Sequence, residues 1–445
     1  MAQLRQVAII GAGVAGLTAA YELTRQKHPV TVFETAPQVG GLASGFRAPE
    51  WEWPLERFYH HWFASDDAII GLIDELGLRD RLFFPRPITS IWHTGKAHPF
   101  DSPLAALRFP HLSWPAKVRF GIVGLYLRLA RNWKPLERYT AHEWCLRWMG
   151  REAYETLWQP LLIGKFGRYY QEVNMAWFWA RLHKRTPRLG YFVGGFQGFA
   201  NALADRVRAQ GGTIRLTTPV DHIAPVPQGG VMVRAAGQGE QFDTVIATVG
   251  PGLMAQLAPD LPSGYLDRLR QLKSMGAIVL ILSLKRQLMT DGTYWLNLPA
   301  RSPDKKENEF PFLALVEHTN YLSREHYNNE HLVYCGDYLP PEHEYFRMSQ
   351  EELLDTFLPA LRKVNPAFDP SWVQRSWLFR EQYAQPIPPI NHSRNIPDIR
   401  TPIPGLYLAS MSQVYPWDRG TNYAVEIGRQ VAAMVRADAE RQGKQ

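Results

Sequence analysis

The sequence predicts an α/β protein of two domains, and three observations carry that prediction. A short apolar run, Val7 to Ile10, stops at a group of glycines; a helical pattern and a second apolar run ending on Glu34 follow it. Further apolar runs bounded by Gly and Pro recur far downstream, near residues 213–217, 242–251 and 405–410. At 445 residues the chain is also too long for one hydrophobic core, which makes two domains the default.

The first run, VAII, reads as a buried parallel strand because it is short, wholly apolar and ends at a glycine turn. Val14 to Lys27 reads as a helix whose apolar positions are Ala15, Leu17, Ala19, Ala20 and Leu23. VTVFE is the next strand, which completes a βαβ unit. The glycines have separable jobs: Gly11 makes the tight turn, Gly13 lets the backbone approach a pyrophosphate, and Gly16 lets helix and strand pack closely. The helix start at Val14 and Ala15 then offers unpaired N–H groups and a positive dipole end to phosphates. Glu34 follows Gly16 by 18 residues, close to the roughly 20 expected of an acid that bonds ribose hydroxyls. Strand, glycines, helix, strand and terminal acid in this order indicate a bound dinucleotide, without separating NAD from FAD.

Composition narrows the class. Hydrophobic residues make up 45% and charged residues 20%, which describes a globular chain and excludes a disordered one. Aromatic content reaches 12% with fifteen Trp, suited to large apolar ligands or a surface in contact with lipid headgroups; an aromatic-rich core is the alternative. The net charge of +7 is uneven. Between Asp101 and Glu137 no acid occurs, while Arg108, Lys117, Arg119, Arg128, Arg131 and Lys134 supply six positive charges. No nucleic-acid module surrounds them, so nucleic acid is not expected as a partner. Cys145 and Cys335 are the two cysteines, in no metal-ligand or CxxC spacing, which points to a reducing cytoplasm and no disulfide framework. No signal peptide and no uncharged apolar run of membrane-spanning length are found.

The residues after Glu34 and Thr35 resolve the cofactor by resemblance. Ala36-Pro37-Gln38-Val39-Gly40-Gly41-Leu42-Ala43-Ser44 resembles the flavin loop of the FAD-dependent amine oxidase, protoporphyrinogen oxidase and phytoene desaturase superfamily. Leu42 stands where that family usually carries Arg, a departure at the phosphate contact. The resemblance spans nearly the whole chain, with specific motifs at both ends. Glu56 to Phe63, Ser65-Asp66-Asp67 and a helix through Leu76-Gly77-Leu78 look like the segment after the flavin loop. It contains His60 and His61, of which alternation along a strand would let one face the flavin or substrate. Gly194 to Gly198, a helix through Arg208, the strand Thr213 to Thr217 and then Val220 resemble the family's return to the cofactor domain. The resemblance implies an adenine contact for the backbone at Val220. Phe242 to Pro251 reads as a further buried strand and turn.

At the far end, Gly405 to Ser410 is a strand leading into Met411 to Asp418, and Arg419-Gly420-Thr421-Asn422-Tyr423-Ala424 opens a helix. The resemblance places Gly420, Thr421, Asn422 and Tyr423 at the flavin pyrimidine, where a helix N-terminus favours negative charge. Met411 replaces the acid that many relatives use for the ribityl chain, leaving Ser410, Ser412 and Asp418 as alternatives. True amine oxidases carry a Lys on the strand matched by Ser274 to Leu280; Ala277 holds that position here, a likeness to the protoporphyrinogen oxidase branch. Arg380 to Pro386 resembles the segment over the flavin, with Tyr383 and Gln385 as expected substrate contacts.

The resemblance therefore implies a Rossmann-like FAD-binding domain of the glutathione-reductase type, discontinuous over residues 1–85, 190–270 and 395–445. A substrate domain of mixed sheet plus helices completes the chain, its helical part at 86–189 and its sheet part at 271–394. Within 103–136, Val118, Ile122, Leu125 and Leu129 recur at helical spacing, and Phe120, Val123 and Leu127 widen the apolar face. Basic flanks and Trp114 and Trp133 suit either an interfacial helix on the inner face of a membrane or an ordinary buried helix. His318, His326, His331 and His343, with Glu317, Glu342 and Glu344, show no fixed metal-ligand spacing and read as solvated loops. The run Arg301 to Glu309 reads as an exposed loop.

The expected function is an FAD-dependent oxidoreductase that takes hydride from a hydrophobic substrate, with oxygen or a quinone as acceptor. A redox-neutral mutase or isomerase acting on a glycosyl or polyprenyl compound is the alternative. A flavin-holding scaffold without turnover is the third reading.

Overall fold

The computed structural model describes residues 4–442. Its organising element is a five-stranded parallel sheet in the order Thr213–Arg215, Val30–Phe33, Val7–Ile10, Thr244–Ala247, Leu406–Leu408. The strands come from three widely separated stretches of chain. Alternation along Val7–Ile10 explains why every residue of this strand is apolar. Val7 and Ile9 join a core with Leu17, Ala20, Leu203 and Val431 on one face. Ala8 and Ile10 join Ile223, Val231, Val233 and Met254 on the other. A parallel sheet covered on both faces needs such strands. The first face carries the helices Val14–Thr24, Gly195–Ala209 and Thr421–Gln442. The second carries a three-stranded antiparallel sheet, Val220–Pro225, Val231–Ala235 and Gln238–Phe242.

Several boundaries differ from the sequence reading. The first helix ends at Thr24 rather than Lys27, whose φ of 70° belongs to the left-handed turn that follows. The strand expected over Thr213 to Thr217 stops at Arg215, because Thr217 also turns left-handed at φ 52°. The apolar run Phe242 to Pro251 divides into the strand Thr244–Ala247 and the start of the helix Pro251–Leu257.

A seven-stranded mixed sheet forms the second layer, in the order Val373–Pro386, Ser274–Leu284, His331–Leu339, Ala314–Glu317, Thr293–Asn297, Ile88–His93, Lys96–Pro99. Thr293–Asn297 and Ile88–His93 pair in parallel and the rest antiparallel. Residues 88–99 do not join the helices expected over 86–189. They form a hairpin turning at Thr94-Gly95 and extend the sheet instead, an assignment that needs a long-range partner strand.

Helices fill residues 103–183. Their starts are set by side-chain caps: Ser113, Thr140 and Asn174 accept from the backbone N–H groups of Ala116, Glu143 and Trp177. In Trp114–Leu129 the expected single apolar face splits. Val123 and Leu127 are buried against the protein, while Ile122 and Leu129 are 65% and 68% exposed. Trp114, Val118 and Leu125 share that exposed side. No helix among the described residues is long and apolar enough to cross a membrane.

Two expected loops carry buried groups. Lys305, inside the run Arg301 to Glu309, is buried on Asp337, its Nζ 2.8 Å from Oδ2. His318 is buried beside Tyr327, 3.0 Å from its hydroxyl, so it is not solvated. Among the described residues, no three His, Cys, Asp or Glu side chains gather as a metal site would require.

Candidate functional site

One cavity of about 1050 Å³ runs from the glycine turn of the parallel sheet to the helical layer. At the sheet end it is lined by Gly11, Gly13, Val14, Ala15, Glu34, Thr35 and Val220. Gly11 adopts φ 103°, a conformation that favours glycine. The first helix begins at Gly13 with no side-chain cap, so its leading N–H groups are left to a ligand. Gly16 does not line the cavity: a Cβ there would lie 2.0 Å from the Gly11 carbonyl oxygen, so its place is the close packing of helix on turn.

Glu34 is fixed by its own backbone neighbours. Oε2 accepts from the Ala12 N–H at 2.7 Å and Oε1 from the Ala36 N–H at 2.8 Å. Each carboxylate oxygen keeps a lone pair for hydroxyls. The Thr218 N–H bonds the Glu34 carbonyl oxygen at 2.8 Å, which ties the approach to Val220 to the same strand end.

The middle of the cavity is lined by Gly40, Gly41, Leu42 and Ala43 on one side and Gly420, Thr421, Asn422 and Tyr423 on another. The Gly40 N–H donates to the Ala12 carbonyl oxygen at 2.9 Å. A Cβ on Gly41 would approach Gly13 Cα to 3.1 Å. These are features of a cradle built for a flat phosphate-bearing group, and the residues present fit FAD. The side chains of Thr421 and Asn422 are engaged within the protein. Thr421 Oγ1 accepts from Trp62 Nε1 at 2.6 Å, and Asn422 Oδ1 caps the helix Asp67–Glu75 through Ala68 and Ile69. Their backbone at the helix start is what remains for a cofactor. Tyr423 stacks on Trp417, centroids 5.7 Å apart. Of the three ribityl alternatives, Asp418 lines the cavity; Ser410 and Ser412 are buried behind it, bonded to the Tyr383 hydroxyl at 3.1 and 2.6 Å.

His60 and His61 both line the cavity, against the expectation that one faces away. Residues 58–61 are irregular and the strand begins at Trp62, so strand alternation does not govern them. His60 Nδ1 bonds the Phe58 carbonyl oxygen at 2.6 Å. Burial lowers the His60 pKa to about 4 and that of His61 to about 3, with nearby Arg185, His60, Arg181 and Arg419 adding to the latter. Both are neutral at pH 7, and such weak bases suit hydrogen bonding rather than proton abstraction. His61 Nδ1 is buried without a partner among the described residues.

Tyr383 lines the cavity, its ring against Gly250. Gln385 is absent from the wall. It donates to Asp418 Oδ1 at 3.2 Å and accepts from Arg419 Nε at 2.9 Å, and so it orients wall residues.

Apart from Tyr59 and Arg419, the motifs gave no sign of the residues at the cavity's far end. Leu157, Trp158, Leu161, Phe178, Tyr59, Trp295 and Tyr338 make its apolar walls, into which Lys165, Arg181, Arg185 and Arg419 are set. A basic residue inside the apolar helical run Leu161 to Phe166 was the signal available for Lys165. Burial pushes Lys165 well below the ordinary lysine value, opposed by Asp418. Asp418, which burial alone would raise, is held below the usual carboxylate range by Lys165 and Arg181 and by bonds from Trp177 and Gln385.

The family described as flavin containing amine oxidoreductase matches residues 14–436. The chain is 23% identical over 453 residues to a 15-cis-phytoene desaturase of Narcissus pseudonarcissus, covering 91% of this chain and 74% of that protein. Among solved structures it is similar to a candidate protoporphyrinogen oxidase from Exiguobacterium sp. 255-15, with TM-score 0.78, 19% identity and coverage of 98% and 100%. It is also similar to reduced UDP-galactopyranose mutase, with TM-score 0.74, 14% identity and coverage of 97% and 94%.

Proposed function

The chain belongs to the flavin-containing amine oxidoreductase family and is an FAD-dependent oxidoreductase; on that premise we propose that it takes hydride from a hydrophobic small molecule bound in the apolar end of its cavity. The observation that carries this reading is the continuity of the cavity, which joins the glycine cradle to a chamber walled by Leu157, Trp158, Leu161 and Phe178. Held in the glycine cradle, FAD would supply the redox chemistry as the hydride acceptor.

The residues have complementary roles. The N–H groups at Gly13 and Val14 and the first helix N-terminus bind the pyrophosphate. Glu34 bonds the ribose, and the start of the helix Thr421–Gln442 holds the pyrimidine edge. Leu42, in place of Arg, keeps the loop Gly40–Ala43 uncharged. Tyr383, tethered to Ser410 and Ser412, and the neutral His60 and His61 orient the substrate. The aromatic walls exclude water, which protects a transferable hydride. Oxygen or a quinone serves as acceptor. The exposed Trp114, Ile122 and Leu129 side, with Lys117 and Arg128 on the same helix, fits peripheral contact with an anionic membrane surface, from which an apolar substrate would enter. A redox-neutral mutase or isomerase is the second reading, favoured by one observation: five cations line the cavity, which a plain hydrocarbon does not require.

The visible spectrum of the purified protein, with identification of whatever heat releases, tests the cofactor. Flavin bands and released FAD are expected, and a colourless protein that takes up no FAD rules the reading out. Turnover that consumes acceptor one-for-one with product supports the oxidoreductase; turnover by prereduced enzyme without acceptor supports the mutase reading.

A further inference from the structure

Five cations line the cavity, Lys165, Arg181, Lys184, Arg185 and Arg419, against the carboxylates Glu34, Asp66, Glu381 and Asp418. Asp418 is matched by Lys165, 3.9 Å away, and by Arg181, which also bonds it. Trp177 Nε1 and Gln385 Nε2 donate to it as well, at 3.1 and 3.2 Å. Arg185 and Arg419 also line the cavity, and among the described residues neither has a carboxylate within ion-pair distance.

Arg419 is held for a purpose other than pairing. Its Nε donates to Gln385 Oε1 at 2.9 Å, its Nη2 donates to the Tyr338 hydroxyl, and its guanidinium lies 4.8 Å from the centroid of that ring. Gln385 bridges Arg419 to Asp418, and with Nε and Nη2 both engaged it is the Nη1 donors that have no partner among the described residues. Arg185 is exposed where it lines the cavity, with Asp101 and Arg181 acting on it electrostatically. Desolvation brings the pKa of Arg419 down to about 10. His61 lies within electrostatic range of both, with a buried Nδ1 that has no partner among the described residues. A desolvated cation such as Arg419, with no ion-pair carboxylate among the described residues, is costly, and a ligand that completes the pair offsets that cost.

The cofactor's own phosphates do not fill this role. They have the glycine turn and its uncapped helix, whereas Arg185 sits just past the helix Met175–His183, its carbonyl oxygen bonded by Arg128 at 2.8 Å.

We propose that the substrate is an amphiphile whose acidic headgroup, a phosphate or a carboxylate, docks between Arg185 and Arg419, with its hydrocarbon body against Ile91, Phe100, Leu157, Leu161 and Phe178. This rests on the reading of the same cavity as a flavin enzyme's substrate chamber and narrows that substrate to a class. Arginine suits the role because its planar fork meets either headgroup through two parallel bonds. Lys165 and Arg181 do not compete for it, since Asp418 holds them.

The test is calorimetric titration of the protein as purified with octyl phosphate, octanoate and 1-octanol. At least one of the two anions is expected to bind tenfold or more tightly than octanol, and which one does so distinguishes phosphate from carboxylate. R185Q should abolish most of that preference. R419Q should do the same, and the headgroup comparison needs no variant should R419Q fold poorly. Equal binding of all three compounds, absence of binding by either anion, or an undiminished preference in R185Q overturns the proposal. The visible spectrum of each sample reports on flavin separately: a colourless protein that still prefers the anion defeats the flavin reading alone, and a yellow protein without preference defeats the amphiphile alone.

Discussion

Lys165 and Asp418 stand 3.9 Å apart in the wall of the cavity, joined from segments more than 250 residues apart in sequence. Each shifts the other: the carboxylate opposes the burial that discharges the lysine, and the lysine offsets the burial that would protonate the acid. Breaking such a pair is worse than never having it, because the survivor stays buried and uncompensated.

Replacing one partner should show this. D418N is expected to lower stability by about 2 kcal/mol in urea denaturation. The double variant K165M/D418N should lose less than the sum of the two single losses, since the second change removes the stranded charge. Strict additivity would mean that the two residues are not coupled.

Gly16 should matter through packing rather than contact. A methyl group there meets the Gly11 carbonyl oxygen at 2.0 Å, forcing the first helix off the turn that presents its N–H groups. G16A is expected to weaken FAD binding at least tenfold, about 1.4 kcal/mol, while far-ultraviolet circular dichroism stays near that of the parent. Titration of flavin-stripped protein followed by flavin fluorescence measures it.

Glu56 sets a pH dependence. It is buried, accepts from the Tyr191 hydroxyl at 2.7 Å and from the Phe196 N–H at 2.8 Å, and burial raises its pKa to about 7. Between about 4.5 and 7 the unfolded chain has released this proton and the folded chain has not, so the folded state binds more protons and stability falls as pH rises. E56Q removes the titration. Its melting temperature should drop less than the parent's between pH 5 and pH 8. His60 and His61, lowered to about 4 and 3, work in the opposite direction: below about pH 6.5 the unfolded chain takes up their protons first, and stability falls on acidification in both proteins.

The exposed side of Trp114–Leu129 makes a further prediction. Flotation with phosphatidylglycerol vesicles at low salt should carry the protein upward, and I122D/L129D should leave it at the bottom of the gradient. Because both side chains are exposed, the variant should melt within about 0.5 kcal/mol of the parent. Parent protein that never floats ends the membrane reading.

The two ends of the cofactor cradle are legible in the sequence because each is local. Gly11, Gly13 and Gly16 lie within one turn and helix start, and Glu34 closes the adjacent strand. His60 and His61 are legible as site residues but not in their orientation, since strand alternation fails where the chain is irregular. Gln385 is legible too, yet it stands behind the wall, bridging Asp418 and Arg419. The hairpin 88–99 escapes a sequence reading because it becomes sheet only through Thr293–Asn297, some 200 residues onward.

The sequence by itself determined the dinucleotide-type turn, the family and the absence of any long apolar span, since these rest on short-range periodicity and on residues that must be neighbours to work. Only the tertiary structure decided which charges share the chamber. Lys165, Arg181, Arg185 and Arg419 come from a helix, a second helix, the loop after it and the approach to the last helix. Nothing in their spacing announces that they meet. Their meeting in one cavity, and with it the chemistry they can recognise, exists only where the helical layer closes over the sheet.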